Sequence, residues 1–254
     1  VTTAALVPTI DSAPRAWEIV LQSIELDLIS GRLGPGDHLP PERTLAATLG
    51  VGRSSVREAV RVLEVLGLIR TNVGSGPSAG AIIVALPGGG MSALMRLQVA
   101  AQGFPVTDVV KTRLLLEGSV ATELARAAEL RAPDLAESER LLDAMERPGL
   151  TEAEFLALDA QFHLSLAEAA GNQVVTATMA GLRSAIESYA RAGVAGLASW
   201  ADTSARLRRE HRSIVAAITA GEADAARHAI ESHISGYYAE THLTPPALHT
   251  TLTR

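Results

Sequence analysis

From Pro105 to Tyr238, apolar residues recur three or four positions apart through one stretch after another, and glycine or proline falls where that rhythm stops. Such a chain can bury a stripe of each stretch only as an α-helix. Breaks near Gly103-Phe104-Pro105, Ala132-Pro133, Pro148-Gly149, Gly171-Asn172 and Gly221 divide the region beyond residue 91 into about six helices. Aromatic residues are only 3% of the chain against 47% hydrophobic, so the cores must be built from Ala, Leu, Val and Ile. That balance suits packed helices better than a β-sandwich. With 254 residues the chain has room for one large domain or two smaller ones, each with its own core. It has no cysteine, which excludes disulfides, thiolate metal sites and a Cys nucleophile. Any metal must be held by histidine and carboxylate.

The first third is punctuated differently. Ile19, Val20, Ile24 and Leu28 mark a helix that stops at Gly31, Gly34, Pro35 and Gly36. A second, short helix follows Pro41, with Leu45, Ala46 and Leu49 as its apolar positions. Gly50-Val51-Gly52 then leads into a third, with Val56, Val60 and Leu63 on its inner face. Two short helices joined by a tight Gly-containing turn form a helix-turn-helix. Two β-leaning runs, Leu68 to Val73 and Ala81 to Ala85, flank "GSGPSAG" and read as a hairpin wing. The expected layout is a mainly α protein: a flexible tail at 1–13, a winged helix-turn-helix at 14–86, a "PGGG" linker within 87–91, an all-α domain at 92–242 and a flexible tail at 243–254. No uncharged run is long enough to cross a bilayer and the N-terminal stretch lacks a basic region ahead of an apolar one, so the expectation is a cytoplasmic protein with no membrane partner.

The net charge is −6, yet Arg43, Arg53, Arg57, Arg61 and Arg70 gather in and just after the helix-turn-helix. In the third helix Arg53, Arg57 and Arg61 follow at i+4 steps, opposite the apolar stripe, and make a cationic ridge. Ser54 and Ser55 stand in the first turn, where hydroxyls and free backbone N–H groups can meet phosphate oxygens and the helix dipole favours an anion. Guanidinium grips phosphate or guanine O6/N7 two-pronged. The geometry suits a major groove. A charge run alone is more often a solvated face; the turn before it and the wing after it argue for double-stranded DNA.

A second puzzle lies in the helical part. "TEAEFLALDAQFHLSLAEAAG" has the inward stripe Leu156, Asp159, His163, Leu166, Ala170; the next two helices have Leu207, His211, Ile214, Ile218 and Ala226, Ile230, His233, Tyr237. Burying a carboxylate and three imidazoles costs several kcal/mol, on the order of the penalty for unpaired polar groups, unless they are paired or bind a metal. Asp159, His163, His211 and His233 form an N/O donor set that suits Zn²⁺, Ni²⁺, Mn²⁺ or Fe²⁺ rather than Ca²⁺. Each histidine taken singly also fits a satisfied core residue. His228 falls on the polar side of its helix, and His38, His242 and His249 fall in loop or tail. Arg113, in the stripe Val109, Arg113, Leu116, Val120, points a permanent cation inward. It needs an anion, either Glu117 or Asp159 in an internal salt bridge or the carboxylate of a ligand. A helical-bundle metalloenzyme using the Asp/His set is the rival reading. Against it stand the winged helix and the lack of an evident core-facing Glu or Lys as a general base.

The stretch "GRLGPGDHLPPERTLAATLGVGRSSVREAVRVLEVLGLI" resembles the winged-helix signature of GntR-type bacterial transcription regulators. Pro40, Glu42, Arg43, Leu45, Val51, Arg53, Val56, Arg57, Glu58 and Leu66-Gly67-Leu68 all fall where that family has them. The helical remainder resembles its FadR subfamily with an FCD domain of the metal-binding type. The resemblance implies that Arg43, Arg53 and Arg57 contact DNA and that a small wing-tip residue, Ser75 or Gly76, enters the minor groove. Gly52 stands where a Ser usually caps the recognition helix, a change costing only a few tenths of a kcal/mol. It also implies one divalent transition metal per chain on Asp159, His163, His211 and His233, and a small organic acid as effector, held by Arg113. The function expected is that of a ligand-responsive regulator, a repressor, acting as a homodimer on a pseudo-palindromic operator. One recognition helix reads too few base pairs alone.

Overall fold

The computed structural model describes residues 13–72, 80–84, 89–101 and 104–242, which divide into two compact units, Val1–Leu86 and Pro87–Arg254. The expected wing tip with Ser75 and Gly76, the tail 243–254 and all but Ala13 of the tail 1–13 lie outside the described residues.

In the first unit, α1 (Ala16–Ile29) packs on α3 (Arg53–Val65), with α2 (Glu42–Leu49) against both. α2 ends at Gly50, whose left-handed φ of 65° turns the chain at no cost in Cβ strain. The Val51 N–H closes the turn onto the Ala46 carbonyl at 3.1 Å. The wing is β1 (Ile69–Asn72) paired antiparallel with β2 (Gly80–Ile83), in the register Ile69 opposite Ile83. Gly36 to Leu39 runs along the free edge of β2: Gly36 N–H donates to Ile83 O, Ile83 N–H to Asp37 O and Leu39 N–H to Ala81 O, each at 2.8–2.9 Å. Val20, Ile24, Leu45, Val56, Ala59, Leu63, Ile69 and Ile83 form the core. Each large side chain among them contributes about 1.5–3 kcal/mol on burial.

The second unit contains seven α-helices among the described residues: α4 (Gly89–Ala100), α5 (Val106–Ala128), α6 (Ala136–Met145), α7 (Glu152–Ala170), α8 (Gln173–Gly193), α9 (Trp200–Thr219) and α10 (Ala223–Glu240). The sequence breaks predict about six. The extra break comes between α8 and α9, where a 3-10 turn at Val194–Gly196 precedes Ser199, whose hydroxyl caps α9 by accepting the Asp202 N–H at 3.3 Å. α4 begins at Gly89, inside the stretch expected to be linker. It lies so close to α8 that a Cβ on Gly181 would stand 2.8 Å from Met95 Cβ.

Local chemistry sets the helix ends. Thr151 and Glu154 cap α7 reciprocally: Thr151 Oγ1 accepts from Glu154 N–H at 3.2 Å, and Glu154 Oε2 accepts from Thr151 N–H at 2.8 Å. Asn172 Oδ1 caps α8 through the Val174 and Val175 N–H groups. α5 packs against α7, α9 and α10, so the inward faces of four helices meet. Leu124, Leu156, Phe162, Leu166, Leu207, Ile214, Ile218 and Ile230 fill that interior. The polar groups described next are set among them.

Candidate metal centre and nucleic-acid interface

On the first unit, Arg53, Arg57 and Arg61 lie exposed along one side of α3, and Arg43 is exposed on α2. Gly52 is the N-cap of α3 and offers no side-chain cap. The first-turn N–H groups not used by the Gly52 carbonyl therefore remain as donors beside exposed Ser54, while Ser55 is half-buried. Arg57 Nη1 stands 3.7 Å from Glu42 Oε2, a loose surface pair that a phosphate or base edge can displace. The inner face differs in one position from expectation. Ala59 is fully buried and Val60 only half-buried on the helix that packs against α1. Periodicity gives the existence of a stripe; the crossing helix decides its centre.

In the second unit α7, α9 and α10 bring Asp159, His163, His211 and His233 together, all buried, with one ligand atom from each within 4.8 Å of the others. His163 Nε2 and His211 Nε2 each lie 3.2 Å from His233 Nε2, and His211 Nε2 lies 3.0 Å from Asp159 Oδ1. Donors around an ion at a metal–nitrogen distance of about 2.0–2.1 Å stand roughly 3.0–3.4 Å apart when adjacent, so the spacing fits. Burial, together with the neighbouring His211, pushes His233 down to about 4, and burial also lowers His211. Both rings are neutral near pH 7, as ligands must be. Burial works to raise Asp159, but the His211 hydrogen bond and the other two imidazoles outweigh it and hold the carboxyl below its usual range.

Arg113 is 4% exposed and meets Glu117, itself 2% exposed, through Nε and Oε1 at 2.7 Å. The other Glu117 oxygen faces His163 Nδ1 at 2.5 Å. Burial pushes Glu117 up, yet Arg113 and His163 together bring it down to about 2. Arg113 Nη2 and the Tyr238 hydroxyl are buried without a hydrogen-bond partner among the described residues. Arg113, Asp159, His233, Leu156, Leu207 and Tyr237 line a narrow, nearly filled pocket with a cavity volume of about 10 Å³, room for no more than a water molecule. The arrangement can hold an ion on one wall and presents a guanidinium on the other, and an organic anion between them requires the lining side chains to move apart.

Glu117, expected as one candidate partner of Arg113, is that partner, and it overturns the expectation that the core has no evident inward-facing Glu: it, rather than half-buried Leu116, continues the buried side of α5 after Arg113. One site residue was missed: Glu210 Oε2 meets His233 Nδ1 at 2.9 Å. Glu210, directly before His211, gave no signal in the sequence. His228 is exposed, as expected, and so are His38 and His242.

A winged helix-turn-helix and a helical bundle with a buried Asp/His₃ pocket define a DNA-binding regulator that carries a ligand-binding domain. Comparison with known proteins agrees. Residues 18–77 match the bacterial regulatory proteins of the gntR family, and residues 108–236 match the FCD domain. The chain belongs to the gntR family of bacterial regulatory proteins, with an FCD domain at its C-terminal side. It is a transcription regulator and not an enzyme. It is 31% identical over 222 residues to the HTH-type transcriptional regulator LutR of Bacillus subtilis, covering 83% of this chain and 97% of LutR. To the HTH-type transcriptional repressor NanR of Citrobacter rodentium it is 32% identical over 233 residues, covering 89% and 85%. The solved structure of a Streptococcus agalactiae GntR superposes with a TM-score of 0.55 at 25% identity, covering 89% of this chain and all of that one. No helix among the described residues is long and apolar enough to cross a membrane.

Proposed function

We propose that this regulator is a homodimeric repressor that senses a small carboxylic acid at a metal ion held by Asp159, His163, His211 and His233. The observation that carries this reading is one pocket lined both by members of the donor set and by Arg113, whose Nη2 is buried and unpartnered. A buried guanidinium nitrogen without a hydrogen bond is expensive, and a carboxylate oxygen satisfies it with a charge-assisted one. The ion, one divalent Zn, Ni, Mn or Fe per chain, would supply open coordination positions for a carboxylate and an adjacent hydroxyl. Arg113 and Glu117 cancel and Asp159 offsets only half of a divalent ion, so an anionic ligand, a mono- or dicarboxylate, is favoured beside it.

On the DNA side, Arg43, Arg53, Arg57, Ser54 and Ser55 are the contacts proposed for the operator, with Ser75 or Gly76 at the wing tip. Two copies are needed to read a pseudo-palindrome of useful length. A ligand that favours one arrangement of the dimer changes operator affinity by the factor by which DNA changes ligand affinity. The test is calorimetry of the purified protein against a panel of hydroxy acids, sugar acids and dicarboxylates, with and without chelator, alongside gel shifts on operator DNA. A mono- or dicarboxylate that binds only metal-loaded protein and alters the gel shift is expected. Protein that carries no metal and gains none from added Zn²⁺, Ni²⁺ or Mn²⁺ overturns the reading.

A further inference from the structure

The geometry points to Glu117 and Glu210 as positioning residues that decide which nitrogen of His163 and His233 faces the centre of the donor set. This rests on the metal reading above and adds residues to it. An imidazole has two ring nitrogens, and a neutral ring carries one proton; whichever nitrogen is protonated cannot ligate. For His163 and His233 the ligating nitrogen must be Nε2, since these two Nε2 atoms face each other at 3.2 Å.

Each ring has a carboxylate oxygen close to its Nδ1, in a hydrogen bond at His233 and in a close ion-pair contact without hydrogen-bond geometry at His163. Glu210 Oε2 lies 2.9 Å from His233 Nδ1, and Glu117 Oε2 lies 2.5 Å from His163 Nδ1. An ionised carboxylate only accepts, so it keeps the proton on Nδ1 and leaves an Nε2 lone pair pointing inward. Two such lone pairs 3.2 Å apart repel, and a cation between the donors relieves them.

The carboxylates are themselves held. Arg113 Nε fixes Glu117 Oε1 at 2.7 Å from the same helix. Arg206 Nη1 fixes Glu210 Oε1 at 2.6 Å, and Arg206 bonds onward to Glu240, which also accepts from Thr203 Oγ1 at 2.6 Å. Glu210 thus sits in a network that ties α9 to α10 on the rim of the site. His211 differs: no ion pair reaches its Nδ1 among the described residues, and its Nε2 stands 3.0 Å from Asp159 Oδ1.

The test has two readouts on the full chain. In chelator-treated protein labelled with ¹⁵N-histidine, long-range nitrogen–proton correlation spectra should show His163 and His233 protonated on Nδ1 and His211 protonated on Nε2. Competition of Zn²⁺ against a chromogenic chelator should show Glu210→Ala binding the ion about 10- to 100-fold more weakly than wild type. In that variant His233 should lose its exclusive Nδ1–H signature. An Nε2-protonated His233 in wild type overturns the proposal, as does a Glu210→Ala affinity within twofold of wild type. Wild-type protein that binds no Zn²⁺ at all defeats the metal reading instead, and the spectra then still decide the role of the two carboxylates.

Discussion

Arg113→Met should destabilise the helical unit far more than the loss of one ion pair on a surface would. Arg113 and Glu117 are 4% and 2% exposed and joined at 2.7 Å, so removing the cation leaves a buried carboxylate beside an aromatic-lined core. Breaking a buried pair from one side costs about 3–5 kcal/mol, against about 0–1 kcal/mol for an exposed pair. With a urea slope of about 2 kcal/mol per molar, the unfolding midpoint should fall by roughly 1.5–2.5 M. The double variant Arg113→Met/Glu117→Gln removes both charges and should regain at least half of that loss, because a neutral amide is cheaper to bury than a carboxylate. The assay is urea unfolding at fixed protein concentration in chelator, so that metal linkage does not enter. A single-variant cost below about 1 kcal/mol, or a double variant as unstable as the two single losses added, refutes the reasoning. Effector binding is compared at matched metal loading in the single variant, where loss of the Arg113 contact should cost about 1.5–3 kcal/mol.

Arg57→Ala should weaken operator binding by about 1–3 kcal/mol while leaving the melting temperature unchanged, with Arg53→Ala weakening random DNA as well if it holds a phosphate; gel-shift titrations of both decide. Stripping the metal should lower the melting temperature of the wild type by linkage, elemental analysis should find about one ion per chain, and His163→Ala should lose it whereas His228→Ala, on an exposed face, should not. Glu64 accepts from the Thr71 N–H at 3.1 Å and from its hydroxyl, which lowers its carboxyl below 4.5. A lowered carboxyl stabilises the fold above its unfolded pKa and stops doing so as pH falls through the folded one, so acid should loosen β1 from α3. The Thr71 amide shift in NMR should titrate in acid, below the ordinary range of a free glutamate, in wild type and not in Glu64→Gln.

Much of this was readable in the chain. The helix-turn-helix follows from local rules: Pro41 opens α2, Gly50 closes it, and the i+4 arginines of α3 must share a face whatever surrounds them. The four-member donor set was legible for the same reason, since ionisable residues in otherwise apolar stripes are costly unless they meet. The break between α8 and α9 was passed over because "GVAGLAS" is apolar enough to continue a helix, although Ser199 three residues before Asp202 was a capping signal.

Sequence alone determined the element types, the two-part layout and the residue kinds that converge, because helix periodicity, capping and turn chemistry act over a few residues. Tertiary structure alone decided which atoms face each other. That Glu210 backs His233, that Glu117 joins Arg113 to His163, and that one Arg113 nitrogen is left unpaired beside the donor set depend on how α5, α7, α9 and α10 are rotated and how closely they cross. Rotation and spacing are set by the whole packed interior, to which residues distant in the chain contribute together, and no local pattern encodes them.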